Sequence, residues 1–85
     1  MNFEYFTKTI QQKGKRYFQD NRVFSITNKN NDYHAIVLGK EAYSVDLTLD
    51  HNNEIVEASC TCPYASDGYT CKHEAALYYA LEDRL

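Results

Sequence analysis

Three cysteines and a histidine crowd into one stretch of fifteen residues, SCTCPYASDGYTCKH, at positions 59–73. They read Cys60-x-Cys62, a gap of eight residues, then Cys71-x-His73; elsewhere the chain has no cysteine, and its other histidines are His34 and His51. Such a set could form disulfides, hold a metal ion, pair a nucleophile with a base, or do nothing together. Three thiols cannot pair off within one chain. The opening MNFEYFTKTIQQKGKRYF also lacks the unbroken apolar run of a signal peptide, so a reducing, cytoplasmic setting is the default and the disulfide reading is weak.

The spacing suits a metal. In an extended segment, residues two apart point the same way, about 6.5–7 Å apart. Cys60 and Cys62 can therefore aim at one point if the chain turns after Thr61, and Pro63 favours that exit. On a helix, residues two apart lie on different faces. Cys71 and His73 converge only if Cys71 sits at or just before a helix start, with His73 in the first turn. The intervening loop Pro63–Thr70, with Asp67-Gly68, is long enough to swing that helix end over the strand turn. Three thiolates and an imidazole are a donor set for tetrahedral zinc, and four protein donors leave no position for water, the mark of a structural site. A helix N-terminus would further favour the Cys71 thiolate. The rival, a Cys71 thiolate activated by His73 in a small zinc- or thiol-dependent enzyme, lacks a third orienting group and an oxyanion site.

The elements that must position these residues follow from periodicity. Phe3, Phe6, Ile10, Gly14, Tyr17 and Phe18 recur at spacings of three and four, which predicts an amphipathic N-terminal helix. Gly14 lies on its apolar face, where it allows close approach of another element. Asn21 can take the left-handed conformation that ends a helix. Val23–Thr27 and Tyr33–Leu38 read as strands around the turn 28–32 (NKNND). Tyr43, Val45, Leu47 and Leu49 alternate with Ser44, Asp46 and Thr48, a half-buried strand. After a turn at Asp50–Asn53, Ile55–Cys62 forms a fourth strand running into the first two cysteines. KHEAALYYALEDRL is helical in composition, with His73, Leu77, Ala80 and Leu81 inward and Ala76 alongside. The expected architecture is α+β: an N-terminal helix, a four-stranded antiparallel meander and a C-terminal helix, joined by the Cys3His zinc site. Residues 1–85 make one domain, expected to be the N-terminal part of a longer protein because the last helix meets no stop signal.

Composition narrows the function classes. With 85 residues, 44% hydrophobic and 25% charged, the chain is ordinary for one globular domain. At that size a core is close to the minimum that stands unaided, so a metal staple is structurally welcome. No apolar run approaches the ~20 residues that span a bilayer. Net charge is −3, divided unevenly: residues 1–40 carry seven Lys/Arg against three Asp/Glu, and residues 41–85 carry two against nine. An acidic total matches DNA phosphates poorly. If nucleic acid is engaged, the basic first part should do it, through Lys8, Lys13, Lys15 and Arg16, although a solvated helix face explains these cations as well. Of the eight tyrosines, Tyr5, Tyr17, Tyr33 and Tyr43 read as core or half-core. Tyr64, Tyr69, Tyr78 and Tyr79 flank the Cys/His segment and could offer an aromatic surface to bases or a partner, with Lys72 beside them. His34 reads as a strand-surface residue and His51 as a turn residue.

C-x-C followed by a short loop and C-x-H resembles the signature of the SWIM zinc finger. The likeness extends further: KGKRYFQDNRVFSI is similar to the "rG..Y...g.V" segment that precedes SWIM motifs, and AIVLGKEAYSVDLTL to the "V.Gs..Y.V.i" hairpin that leads into the C-x-C strand. It covers nearly the whole chain. At Asn21 the family often has Gly, and Asn tolerates the same conformation. The resemblance implies that Cys60, Cys62, Cys71 and His73 are the ligands of one structural zinc ion. SWIM domains occur in bacterial Snf-type helicase ATPases, in transposases and in plant transcription regulators. What it implies for function is a non-catalytic module that binds a protein partner or nucleic acid, placed ahead of a helicase motor. Neither a membrane nor a small-molecule substrate is expected.

Overall fold

The computed structural model describes residues 1–84. A single 3₁₀ turn at Phe3–Tyr5 leads into helix α1, Lys8–Gln19. The strands are β1, Val23–Lys29; β2, Asp32–Leu38; β3, Ala42–Leu49; and β4, Ile55–Cys60. A one-turn helix α2, Pro63–Ser66, and the long helix α3, Lys72–Arg84, complete the chain. The sheet is an antiparallel meander in the order β1-β2-β3-β4, so the expected α+β architecture stands.

The alternation in β3 works as read. Tyr43, Val45, Leu47 and Leu49 are buried, while Ser44 and Thr48 are only half-buried and Asp46 is exposed. They face α3, which packs against all four strands on one side and α1 on the other. This central position explains why α3 is buried almost all round. The sequence reading placed His73, Leu77, Ala80 and Leu81 inward with Ala76, but Glu74, Ala75 and Tyr78 are buried as well. A helix flanked by a second helix has two inner faces, so one apolar stripe underestimates it.

Gly14 is where the helices touch. A Cβ there would lie 2.5 Å from the Cβ of Ala75 and 3.0 Å from that residue's carbonyl carbon, so two small residues set the interhelical spacing. Asn21 has φ 59° and ends α1 in the left-handed conformation anticipated for it. The start of the helix differs from expectation. Thr7 caps α1, its side-chain oxygen accepting from the N–H of Ile10 at 3.2 Å, and Asn2 caps the preceding turn at Glu4 N. Phe3 and Phe6 thus lie upstream of the helix and reach the core from the turn, within 4.7 and 6.3 Å of the Tyr78 ring. Two local side-chain caps won over a continuous 3.6-residue period.

Three smaller boundaries also shift. The 28–32 turn is tighter than NKNND suggested, since Asn28, Lys29 and Asp32 pair within the strands. β4 stops at Cys60 rather than Cys62, and the segment read as the loop Pro63–Thr70 contains α2. Tyr17 and Tyr33 are half-buried and Tyr43 is buried, as expected, but Tyr5 is exposed because the 3₁₀ turn carries it off the helix face. Tyr78, assigned to a possible outer aromatic surface, is instead at the centre of the core. Its hydroxyl donates to the Asn53 carbonyl at 2.6 Å, tying α3 to the β3–β4 turn. Among the described residues, no helix is long and apolar enough to cross a membrane.

Candidate metal centre

A strand end and two helix starts deliver the four expected donors. Cys60 ends β4, paired in register with Val45 of β3. Cys62, two residues on, is the cap of α2: its Sγ accepts from the N–H of Ala65 at 3.4 Å, and Pro63 occupies the first helical position. That position suits proline because its missing N–H would have no helical partner. Cys71 immediately precedes α3, and its Sγ accepts from the N–H of Glu74 at 3.5 Å. His73 lies in the first turn of α3. Two of the sulfurs therefore sit at helix N-termini, where backbone N–H groups favour sulfur charge. The sequence reading anticipated this at Cys71 and missed it at Cys62.

One ligand atom from each of Cys60, Cys62, Cys71 and His73 lies within 4.8 Å of all the others. Zn–S near 2.3 Å and Zn–N near 2.0–2.1 Å make the edges of a tetrahedron about 3.5–3.8 Å long. The Nδ1 of His73 is 3.7 Å from the Cys60 Sγ, within that range. Three buried donors and one half-buried donor make a set that fits a four-coordinate zinc ion. When bound, zinc supplies a cross-link between the end of β4 and the start of α3.

The electrostatics agree. The Cys60 thiol is held well below its ordinary range, first because the Cys71 thiol hydrogen-bonds to it, with burial opposing and His73 assisting. Cys71 is pushed up, first by that same interaction and then by burial, and burial also raises Cys62. Uptake of an ion by three thiolates must displace the protons that Cys62 and Cys71 keep, so binding releases protons and weakens as pH falls. Burial likewise raises the Glu74 carboxyl, which is only 3% exposed.

The imidazole of His73 is gripped by rings. Tyr43 lies 4.5 Å away, centroid to centroid, and Tyr17 5.5 Å away edge-on. A side chain at Gly39 would press within 3.0 Å of His73 Nε2, so that backbone closes the third side. Nδ1 faces the sulfurs, 3.7 Å from Cys60 Sγ, and is the donor atom by that geometry, while Nε2 points towards Gly39 and is buried without a hydrogen-bond partner. Glu74, Gly39, Tyr17 and Tyr43 were not assigned to the site from sequence. Cys71-x-x-Glu74 does follow the capping-box spacing with Cys in place of Ser or Thr, a signal that was available.

Of the expected recognition residues, the structure brings three together. Lys13, Tyr64 and Lys72, with Thr7, Thr9 and Ile10, line a cavity of about 270 Å³ that also touches Cys62, Cys71 and His73. Lys72 extends over the Tyr17 ring at 5.2 Å, and the Arg22 guanidinium lies 5.1 Å from the same ring. Tyr64 and Tyr69 stack on one another at 5.0 Å and are 50% and 60% exposed. Lys8, Lys15 and Arg16 are exposed on α1 but do not line this cavity. His34 is on the sheet, 2.9 Å from Asp46, and His51 is in the β3–β4 turn; neither joins the cluster.

Known proteins give the same answer. The family model for the SWIM zinc finger matches residues 43–82, from β3 through most of α3. A similar protein from Methanocaldococcus jannaschii, described as uncharacterized, is 35% identical over 74 residues, which is 87% of this chain. The chain spans only 29% of that relative's length. No solved structure matches the chain. Signature, donor geometry and model match fall on the same residues: residues 43–82 form a SWIM-type zinc finger, and its Cys3His cluster serves one structural zinc ion.

Proposed function

We propose that this domain is a non-catalytic recognition module of a longer cytoplasmic protein, accessory to a helicase-type ATPase, in which zinc holds a binding surface in shape. The closed donor set carries the reading. Four protein donors around one ion leave no position for a water or substrate, so the metal's work is to fix Pro63–Thr70 against α3. That segment exposes the stacked Tyr64–Tyr69 pair and borders the Lys13–Lys72 cavity. The net charge of −3 favours a protein partner. Nucleic acid is the second reading, supported by two cations and an aromatic pair on one surface, the combination that holds single strands.

A thiol or zinc enzyme built on Cys71 and His73 has less support, because both residues are spent as donors. Elemental analysis tests the centre directly, with about one zinc per chain expected. Fluorescent single- and double-stranded DNA titrated at low and moderate salt then separates the partner classes. No binding at low salt supports the protein-facing reading. Steeply salt-dependent binding that Lys13→Glu and Lys72→Glu abolish establishes the nucleic-acid reading instead. Peptide hydrolysis that disappears on chelation would replace both with an enzyme.

A further inference from the structure

Glu74 is not a zinc donor, yet it holds more of Cys71 than any other side chain does. Cys71 is only 1% exposed, so its backbone N–H cannot turn to water. That N–H donates to Glu74 Oε1 at 2.8 Å. In return the Glu74 N–H donates to the Cys71 Sγ at 3.5 Å. The Cys71 carbonyl accepts from Ala75 N–H at 3.2 Å, the first rung of α3. Nitrogen, oxygen and sulfur of one residue are thus each tied to the same helical turn. The pattern is a capping box in which a cysteine replaces the usual hydroxyl residue.

We propose that Glu74 is a positioning residue of the metal centre: its carboxylate locks Cys71 in the cap conformation that aims the sulfur at the other donors. Truncating it leaves a buried N–H unpaired and frees residue 71 to swing its sulfur away. The effect is one of reach rather than charge. Glutamine keeps an acceptor oxygen at the same distance, while aspartate keeps the charge on a side chain one methylene shorter. Residues that orient metal ligands typically change affinity by about 10–100-fold when removed.

The test measures zinc affinity of the 85-residue chain by competition with a chromophoric chelator, and the spectrum of the cobalt(II) form. Glu74→Ala should weaken zinc about 10–100-fold and lower the sulfur-to-cobalt charge-transfer band from that of three thiolates toward two. Glu74→Gln should stay within about threefold of the parent with an unchanged band, whereas Glu74→Asp should resemble Ala. The Gln and Asp variants keep the test decisive if the Ala variant does not fold. Parent-like affinity and spectrum in Glu74→Asp, or a loss in Glu74→Gln as large as in Glu74→Asp, would overturn the proposal. A general loss of stability would lower melting in these variants without changing how many sulfurs reach cobalt.

Discussion

Two clusters divide the buried interior: α3 supplies side chains to one, and Cys71, the residue just before it, belongs to the other. The middle of α3, Leu77, Tyr78 and Leu81, packs with Ala35, Val37, Val45 and Leu47 of the central strands and with Phe6 and Ile10. At its N-terminal end, Cys71 joins Cys62 and Tyr43, with Cys60 and Ala65 against them. The first cluster is held by area: each fully buried leucine or valine contributes about 1.5–3 kcal/mol, and neighbours compensate partly when one is trimmed. The second has little apolar area and depends on a shared ion, whose four bonds form or fail nearly together. One interior is graded and the other close to all-or-none.

Removing the metal probes that contrast most severely. Zinc is worth ~10–16 kcal/mol in finger peptides, so a strong chelator or Cys71→Ser should exceed any side-chain deletion in the core. Amide resonances from residues 59–74 are expected to collapse toward unfolded positions while β2 and β3 keep their dispersion. Equal collapse everywhere would show that the two clusters fold as one unit. Leu77→Ala should come next, lowering stability by about 2–5 kcal/mol while leaving one zinc per chain by elemental analysis. Loss of zinc in that variant would break the division.

Tyr78→Phe sharpens the comparison from the core side. It deletes the bond to the Asn53 carbonyl and should cost about 1–2 kcal/mol in denaturant unfolding. Burial pushes the Tyr78 hydroxyl up to about 12. The folded state therefore prefers the neutral phenol more than the unfolded state does. Its contribution is complete below pH 10, the ordinary tyrosine value, and is lost as pH rises toward 12. Tyr78→Phe should flatten that alkaline limb.

The smallest effect belongs to Asp50→Ala, outside both clusters. The Asp50 carboxylate accepts from Glu54 N–H and Asn52 N–H at 3.0 and 2.8 Å. The Glu54 bond is the first cause of its lowered pKa; burial opposes it and the Asn52 bond assists. A depressed carboxyl stabilises above its ordinary pKa near 4 and loses that contribution as pH falls through the lower folded value. The variant should remove a shallow acid-side decline in melting temperature and leave zinc binding alone.

Much of this was legible locally. The strand β3 announced itself through strict alternation, Gly14 through its place on an apolar helix face, and Asn21 through its tolerance of positive φ. The metal donors were legible because few arrangements of three cysteines and a histidine make chemical sense at that spacing. What escaped were contests between local signals. Phe3 and Phe6 kept a helical period, but caps at Asn2 and Thr7 broke the helix there. Cys62 looked like the end of a strand, because nothing in a single residue distinguishes a strand end from a helix cap. Glu74 fell outside the expected inner face, because its burial comes from Cys71 and the neighbouring strand end rather than from a helical period.

The sequence by itself determined the donor types, their spacing and the alternating patterns that make a sheet with one buried face. These depend on neighbours two to four residues away, where chain geometry leaves few choices. Only the tertiary structure decided where the donors meet. Cys60 and His73 are thirteen residues apart, and their 3.7 Å approach depends on the β3–β4 register and on α3 lying between α1 and the sheet. The same packing turned Nδ1 of His73 toward the sulfurs, buried Glu74 against Cys71, and drew Lys13 and Lys72 to one cavity. Long-range approach is set by how whole faces pack, because no residue's own preference carries information about a partner that distant in the chain.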